Sequence, residues 1–238
     1  MAVLVEAVVV LVEAVPREDG DMQHPAQRFL SKKEQFLVTE AVKNAEKRTS
    51  GEIVPMIVSS SYDYPKAKLI AALLFSLPLA LFLSHLLAGY VWLDPKNVYV
   101  FLSLLLPLFF LSNRIITVYP SLARIFISQE EMDIEVQEEA MKSFFNEKLY
   151  ATRDANGILL FISVFEKKVW ILADRNIREK IPQQQWDDLV SELMDKISSR
   201  ERCTALCNTI TQIGDLLAQH FPGRRDDTDE LHNLIIRP

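Results

Sequence analysis

Cysteine, histidine and clustered basic charge are all scarce in this chain. Only two cysteines, Cys203 and Cys207, and four histidines stand among its 238 residues. The cysteines lie four apart in a strongly helical pattern, where neighbouring turns rarely offer disulfide geometry, so both are expected as free thiols on a buried helix face. A pair at this spacing offers two metal ligands, but no second cysteine pair or nearby histidine pair completes a set. No basic run exceeds two residues and the net charge is −6. That excludes a nucleic-acid partner, because phosphate contacts need clustered Lys and Arg. Also missing are a Gly-x-x-x-x-Gly-Lys-Ser/Thr loop, a Gly-x-Ser-x-Gly elbow and a His-Glu-x-x-His pair.

What is present is apolar residue in concentrated form. The hydrophobic fraction, 49%, is ordinary for a soluble protein. Yet Leu69 to Leu93 carries no formal charge, and a helix of that length exceeds the roughly 30 Å hydrocarbon core of a bilayer. A second run, Val98 to Val118, reaches about 31 Å if Arg114 snorkels to the interface. Only Asp94, Pro95, Lys96 and Asn97 separate the runs, so the two spans, with their flank from residue 66 to 118, are expected to form an antiparallel transmembrane hairpin. Lys66, Lys68, Arg114 and Arg124 flank the open end, against Lys96 alone at the tip. The positive-inside rule then places the rest of the chain on the cytoplasmic side of an inner (cytoplasmic) membrane, as a multi-pass protein. His85 lies deep in the first span, as a helix–helix hydrogen bonder, an interfacial residue, or a group with a proton or ligand role.

The N-terminus repeats Val-Leu-Val-Glu-Ala-Val at 3–8 and 10–15. Glu6 and Glu13, with no basic residue before Arg17, contradict a signal peptide. Residues 1–21 read as a biased extension ahead of a start at Met22, or as a small amphipathic or β-prone surface segment.

The rest reads as one α/β domain in two pieces, 22–62 and 119–221. Ser31 and Glu34 have capping-box spacing, opening a helix that turns Phe36, Val38, Ala41, Val42 and Ala45 to the core. Ile53 to Val58 reads as a strand, with Pro55 suggesting an edge position or an irregular start. Ser128 and Glu131 repeat the capping box before a helix whose stripe is Met132, Val136, Ala140 and Phe144, joined by Met141, Phe145 and Leu149. Glu131, Glu135 and Glu138 share another, solvated face, with Glu138 supporting Lys142. Gly157 to Phe165 reads as a strand buried on both faces, turning through Glu166-Lys167-Lys168 into Val169 to Ala173, the expected sheet centre. Helices follow at about 182–199, with Trp186, Val190, Leu193, Met194 and Ile197 apolar, and at about 203–220. The tail, 222–238, reads as irregular.

The order of several short motifs resembles one family. Ala45-Glu46-Lys47-Arg48-Thr49-Ser50-Gly51-Glu52-Ile53-Val54 precedes Asn156-Gly157-Ile158-Leu159-Leu160, then Lys168-Val169-Trp170-Ile171-Leu172-Ala173-Asp174 and Trp186. Together these are similar to the TPM-domain family, from about Lys32 to Phe221, in a membrane-anchored bacterial-type form. The resemblance implies a TPM-like α/β sandwich, here with an inserted two-helix transmembrane hairpin. It also implies a domain acting beside a membrane complex, since members include a chloroplast lumen protein tied to photosystem repair and credited with acid phosphatase activity, and an auxiliary subunit of an animal acetylcholine receptor. Those members face a lumen or the exterior, unlike the orientation that the charges of this chain indicate.

Some members bind calcium through acidic loop residues near the sheet. Carried over, the resemblance implies a hard-cation site for calcium or magnesium at Glu46, Glu52, Asp154, Asn156 and Asp174, because such ions take six to eight oxygens from flexible loops. The residues themselves leave other roles open: Asp174 as a helix cap, Asp154 as a turn former. The family's run places Asp directly before Asn-Gly, whereas Ala155 intervenes here. Two functions therefore stand side by side. The first is a non-enzymatic accessory or scaffold protein, without cofactor, that binds or stabilises a neighbouring membrane protein complex. The second is a metal-assisted membrane-bound phosphatase, which would need a metal clamp or nucleophile on the phosphoryl group.

Overall fold

The computed structural model describes residues 25–91, 98–198, 201–223 and 231–238. The N-terminal repeat, the start at Met22 and the connector 94–97 lie outside the described residues. Among those described, the chain divides into two compact units: one runs up to Tyr62 and resumes at Asp133, and the other is Asp63–Met132.

The first unit is built on a four-stranded sheet. Its strands are β1 (Glu52–Val58), β2 (Gly157–Ser163), β3 (Lys168–Ala173) and β4 (Ile235–Arg237), in the order β3-β2-β1-β4. β1 runs parallel to β2 and to β4, and β2 runs antiparallel to β3. Every residue of β1, β2 and β3 is buried, and the period-two alternation sorts their side chains onto two faces. Ile53, Ile57, Ile158, Leu160 and Ile171 face a layer of helices that includes α1 (Pro25–Phe29), α2 (Lys32–Glu46), α6 (Arg175–Lys180), α7 (Gln183–Ser198) and α8 (Arg202–His220). Val54, Met56, Leu159, Phe161 and Trp170 face the single helix α5 (Gln129–Asn146) through Val136, Ala140 and Phe144. The result is the α/β sandwich expected, with helices on both sides of one sheet.

Local signals hold where chemistry is local. Ser31 and Glu34 form the reciprocal capping box, with Ser31 N–H donating to Glu34 at 2.7 Å and Glu34 N–H to Ser31 Oγ at 3.3 Å. Glu131 N–H donates to Ser128 Oγ at 3.0 Å. Glu138 and Lys142 pair at 3.6 Å on an exposed face.

Four expectations need correction. Phe36 is 65% exposed; Val38, Val42 and Ala45 define the buried stripe of α2, and Phe36 sits two residues, roughly 200°, away from Val38. Phe145 is likewise exposed beside the buried Phe144. The centre of the sheet is β1 and β2, and β3 is an edge strand. The tail is not irregular throughout: Ile235–Arg237 adds β4 to β1, opposite Met56–Val58. Pro55 fits this arrangement, because the β4 ladder begins one residue beyond it and so needs no N–H from the proline.

A parallel β1–β2 pair needs a long crossover, and the second unit occupies it. Helix α3 (Pro65–Val91) and helix α4 (Val98–Val118) pack as an antiparallel pair: Ala71 and Ala72, near the start of α3, meet Ile116, near the end of α4. Both helices are long and apolar enough to cross a membrane. Their apolar surface is displayed, with Leu74, Leu81, Phe82, Leu106 and Phe110 all about half exposed or more.

Candidate functional site

Parallel pairing of β1 with β2 and antiparallel pairing with β3 gather the starts of β1 and β2 and the end of β3 at one end of the sheet. All five candidate oxygen donors lie at or beside this end. Glu52 opens β1, Asn156 precedes β2, and Asp174 follows β3, its N–H donating to Gly157 O at 3.0 Å. Asp154 belongs to the loop before β2, where its carbonyl accepts from Asn176 Nδ2 at 2.7 Å. Glu46 closes α2 and reaches β1 by accepting from Ile53 N–H at 2.9 Å.

Glu46, Asn156 and Asp174 through side-chain atoms, and Glu52 and Asp154 through backbone atoms, hold that end together. Asn156 is fully buried and its amide nitrogen donates to Ser50 O at 2.5 Å and to Ser50 Oγ at 3.3 Å. Its own N–H donates to Thr152 Oγ1 at 3.2 Å, and its carbonyl accepts from Glu52 N–H at 3.3 Å. Thr49 Oγ1 donates to Phe221 O at 2.6 Å and accepts from Gly51 N–H at 3.1 Å, which ties the end of α8 to the entry of β1. Gly157 is required by approach, since a Cβ there would stand 2.4 Å from the Leu149 carbonyl oxygen. Asp174 caps α6, with Oδ1 accepting from Arg175 N–H at 2.6 Å. The residues that carry the family resemblance thus act here as staples between distant segments.

That use bears on metal chemistry. Glu46 and Asp174 each spend a carboxylate oxygen on a backbone N–H, and Asn156 points its amide nitrogen inward to Ser50. Among the described residues, no three His, Cys, Asp or Glu side chains come together in a group that could hold a metal ion. The donor set does not fit a closed cation cage, and no reaction step is routed through one.

Two buried charges escaped sequence reasoning because they stand in what reads as a plain hairpin turn. Glu166 is 1% exposed; its Oε1 accepts from Ser60 Oγ and from Ser61 N–H, both at 3.0 Å, and its Oε2 accepts from Ser163 Oγ. Lys168 is buried and pairs with Asp133 at the start of the second segment of this unit. Both join strand ends to flanking segments. Cys203 and Cys207 are free thiols on α8. Burial pushes both thiols up, Cys207 to about 11, so neither supplies a thiolate nucleophile at neutral pH.

Comparison with known proteins agrees with this architecture. The TPM domain matches residues 115–216. Among solved structures, the chain is similar to the BA42 protein from the psychrophilic bacterium Bizionia argentinensis, determined by NMR, with a TM-score of 0.54 and 21% identity. That likeness covers 88% of this chain and 96% of the other, and it establishes the fold alone. No curated protein matches the chain.

Proposed function

We propose, on the premise that this chain carries a TPM domain, that it is a membrane-anchored accessory or scaffold protein whose α/β domain binds or stabilises a neighbouring membrane protein complex. The displayed apolar surface of α3 and α4 carries this reading. Large apolar side chains from both helices, among them Phe82 at 62%, Leu106 at 63% and Phe110 at 67% exposure, are displayed in a number that soluble monomers rarely present. In a bilayer the same surface is solvated by acyl chains, and the helical backbone satisfies its own hydrogen bonds. Both open ends of the hairpin lead into the α/β unit, so two crossings return the chain to the side it left. Lys66, Lys68, Arg114 and Arg124 at those ends support a cytoplasmic placement of that side.

The adaptor role is favoured over phosphatase activity by the use made of the sheet end, where Glu46, Asn156 and Asp174 spend side-chain atoms on the backbone. Crosslinking in native membranes, followed by affinity capture and mass spectrometry, should recover one dominant membrane protein in defined stoichiometry. The purified protein should show no turnover of aryl phosphates or phosphopeptides with magnesium, calcium or manganese beyond that of a folded Glu52→Gln, Asp174→Asn double variant. Metal-dependent turnover lost in that variant would reject the adaptor and establish the phosphatase.

A further inference from the structure

Helix α4 ends at Val118, but its apolar face does not. Ile115 and Val118 are 42% and 54% exposed, and Leu122 and Ile125 continue the spacing at 38% and 84%. Ile125 is the most exposed large apolar side chain among the described residues. Beyond Val118 the backbone tightens into two 3-10 turns, Pro120–Leu122 and Arg124–Phe126, closed by Ala123 N–H to Pro120 O at 2.9 Å and Phe126 N–H to Ala123 O at 3.0 Å. The inner side of this segment is fixed: Ala123 is buried and Phe126 packs with it against Ala71, Ala72 and Ile116 of the hairpin. A rigid segment bolted to the hairpin base therefore holds two large apolar side chains outward at the level where the span ends.

We infer that Pro120–Phe126 is a third membrane element, an interfacial collar that buries Leu122 and Ile125 at the headgroup–acyl boundary of the phospholipid bilayer. This rests on the reading of α3 and α4 as membrane spans. Lipid is favoured as the occupant by continuity, since the exposed stripe runs unbroken from the lipid-facing side of α4. Chemistry supports the same occupant. Tyr119 stands where aromatic belts form, and the exposed basic groups Lys66 and Arg114 lie in the same unit, as expected beside phosphate headgroups.

The test uses the full chain with Cys203→Ser and Cys207→Ser, carrying a fluorescent nitrobenzoxadiazole label at Ile125→Cys or, separately, at Leu106→Cys within α4. Each protein is reconstituted into phosphatidylcholine–phosphatidylglycerol vesicles doped with nitroxide lipids, labelled either near the headgroup or deep in the chain. The label at 125 should be quenched about twofold or more strongly by the shallow nitroxide than by the deep one, and the label at 106 should show the reverse preference. A water-exposed label at 125 with a deep label at 106 would overturn the collar and leave the hairpin standing. A label at 106 that no nitroxide lipid quenches would instead overturn the spans on which the collar rests. Shielding at 125 seen only in native membranes, and not in lipid vesicles, would assign the surface to a protein partner and also overturn the inference.

Discussion

Phe161 and Phe110 are one residue type in opposite settings. Phe161, on β2, is fully buried between the sheet and α5, whereas Phe110, on α4, is 67% exposed with the ring of Phe109 at 5.8 Å. The pattern extends to the units that hold them. The α/β unit sorts its apolar side chains inward by the alternation of its strands, and the hairpin shows its apolar side chains outward on most of its surface. With the hairpin read as membrane-spanning, each suits its own solvent. An inward core is what water selects, and an outward apolar face is what hydrocarbon tolerates.

The sharpest way to break this contrast is to truncate both rings. Phe161→Ala should lower the unfolding free energy of the α/β unit by about 3–5 kcal/mol, through lost transfer and a residual cavity. Phe110→Ala should change it by less than about 1 kcal/mol, since no core surrounds the ring. Denaturant melts of both variants in the same detergent, followed by the near-ultraviolet signal of the buried tryptophans, would compare them directly. Equal losses would mean that Phe110 belongs to a packed core.

A second contrast lies in the backbone. The α/β unit depends on close backbone approaches at its glycines. Gly157→Ala should destabilise it by about 1–3 kcal/mol, because the new Cβ would press on the Leu149 carbonyl and force β2 or the preceding turn to shift. Two residues earlier, Ala155 adopts a left-handed conformation, φ 48°. Ala155→Gly should therefore stabilise the unit by about 1 kcal/mol, the size of the left-handed penalty for a residue with a Cβ. A melting temperature that falls for Ala155→Gly and is unchanged for Gly157→Ala would contradict the strain assigned to this loop.

The smallest effect concerns the thiols of α8. Burial favours the neutral Cys207 thiol and raises its titration to about 11. The folded state therefore holds this proton to higher pH than the unfolded chain does. Its contribution is complete below the unfolded value and is lost as pH rises through about 11. Alkylation of Cys207 near pH 8 should accordingly be slower in the native protein than in denaturant, as timed mass spectrometry would show.

Much of the α/β unit was legible in the sequence, and the reasons differ by element. The Ser31–Glu34 cap and the stripes of α7 and α8 depend on neighbours within a turn or two, so spacing suffices to read them. The strand β2 announced itself as an apolar run because both its faces are covered. Phe36 and Phe145 misled because each sits within two residues of a true core position, and residue type alone cannot separate such near neighbours on a helix. β4 escaped notice because three residues beyond a charged stretch carry no periodicity, and only the open edge of β1 at Met56–Val58 gives them a partner. The stapled end of the sheet was read through acidic residues and a family likeness. Its working contacts join Thr49 to Phe221 and Ser50 to Asn156, pairs 172 and 106 residues apart that no local pattern reveals.

Two crossings of a bilayer require the tip of the hairpin and the α/β unit to lie on opposite sides. Cysteine placed at Val98, the 61% exposed first residue of α4, or at Glu138, on the exposed face of α5, reports each side in a background lacking Cys203 and Cys207. In intact cells a membrane-impermeant maleimide should label Val98→Cys and should reach Glu138→Cys only after permeabilisation. Labelling of both sites, or of neither, in intact cells would contradict the membrane hairpin, and the inverse pattern would contradict the cytoplasmic placement of the α/β unit.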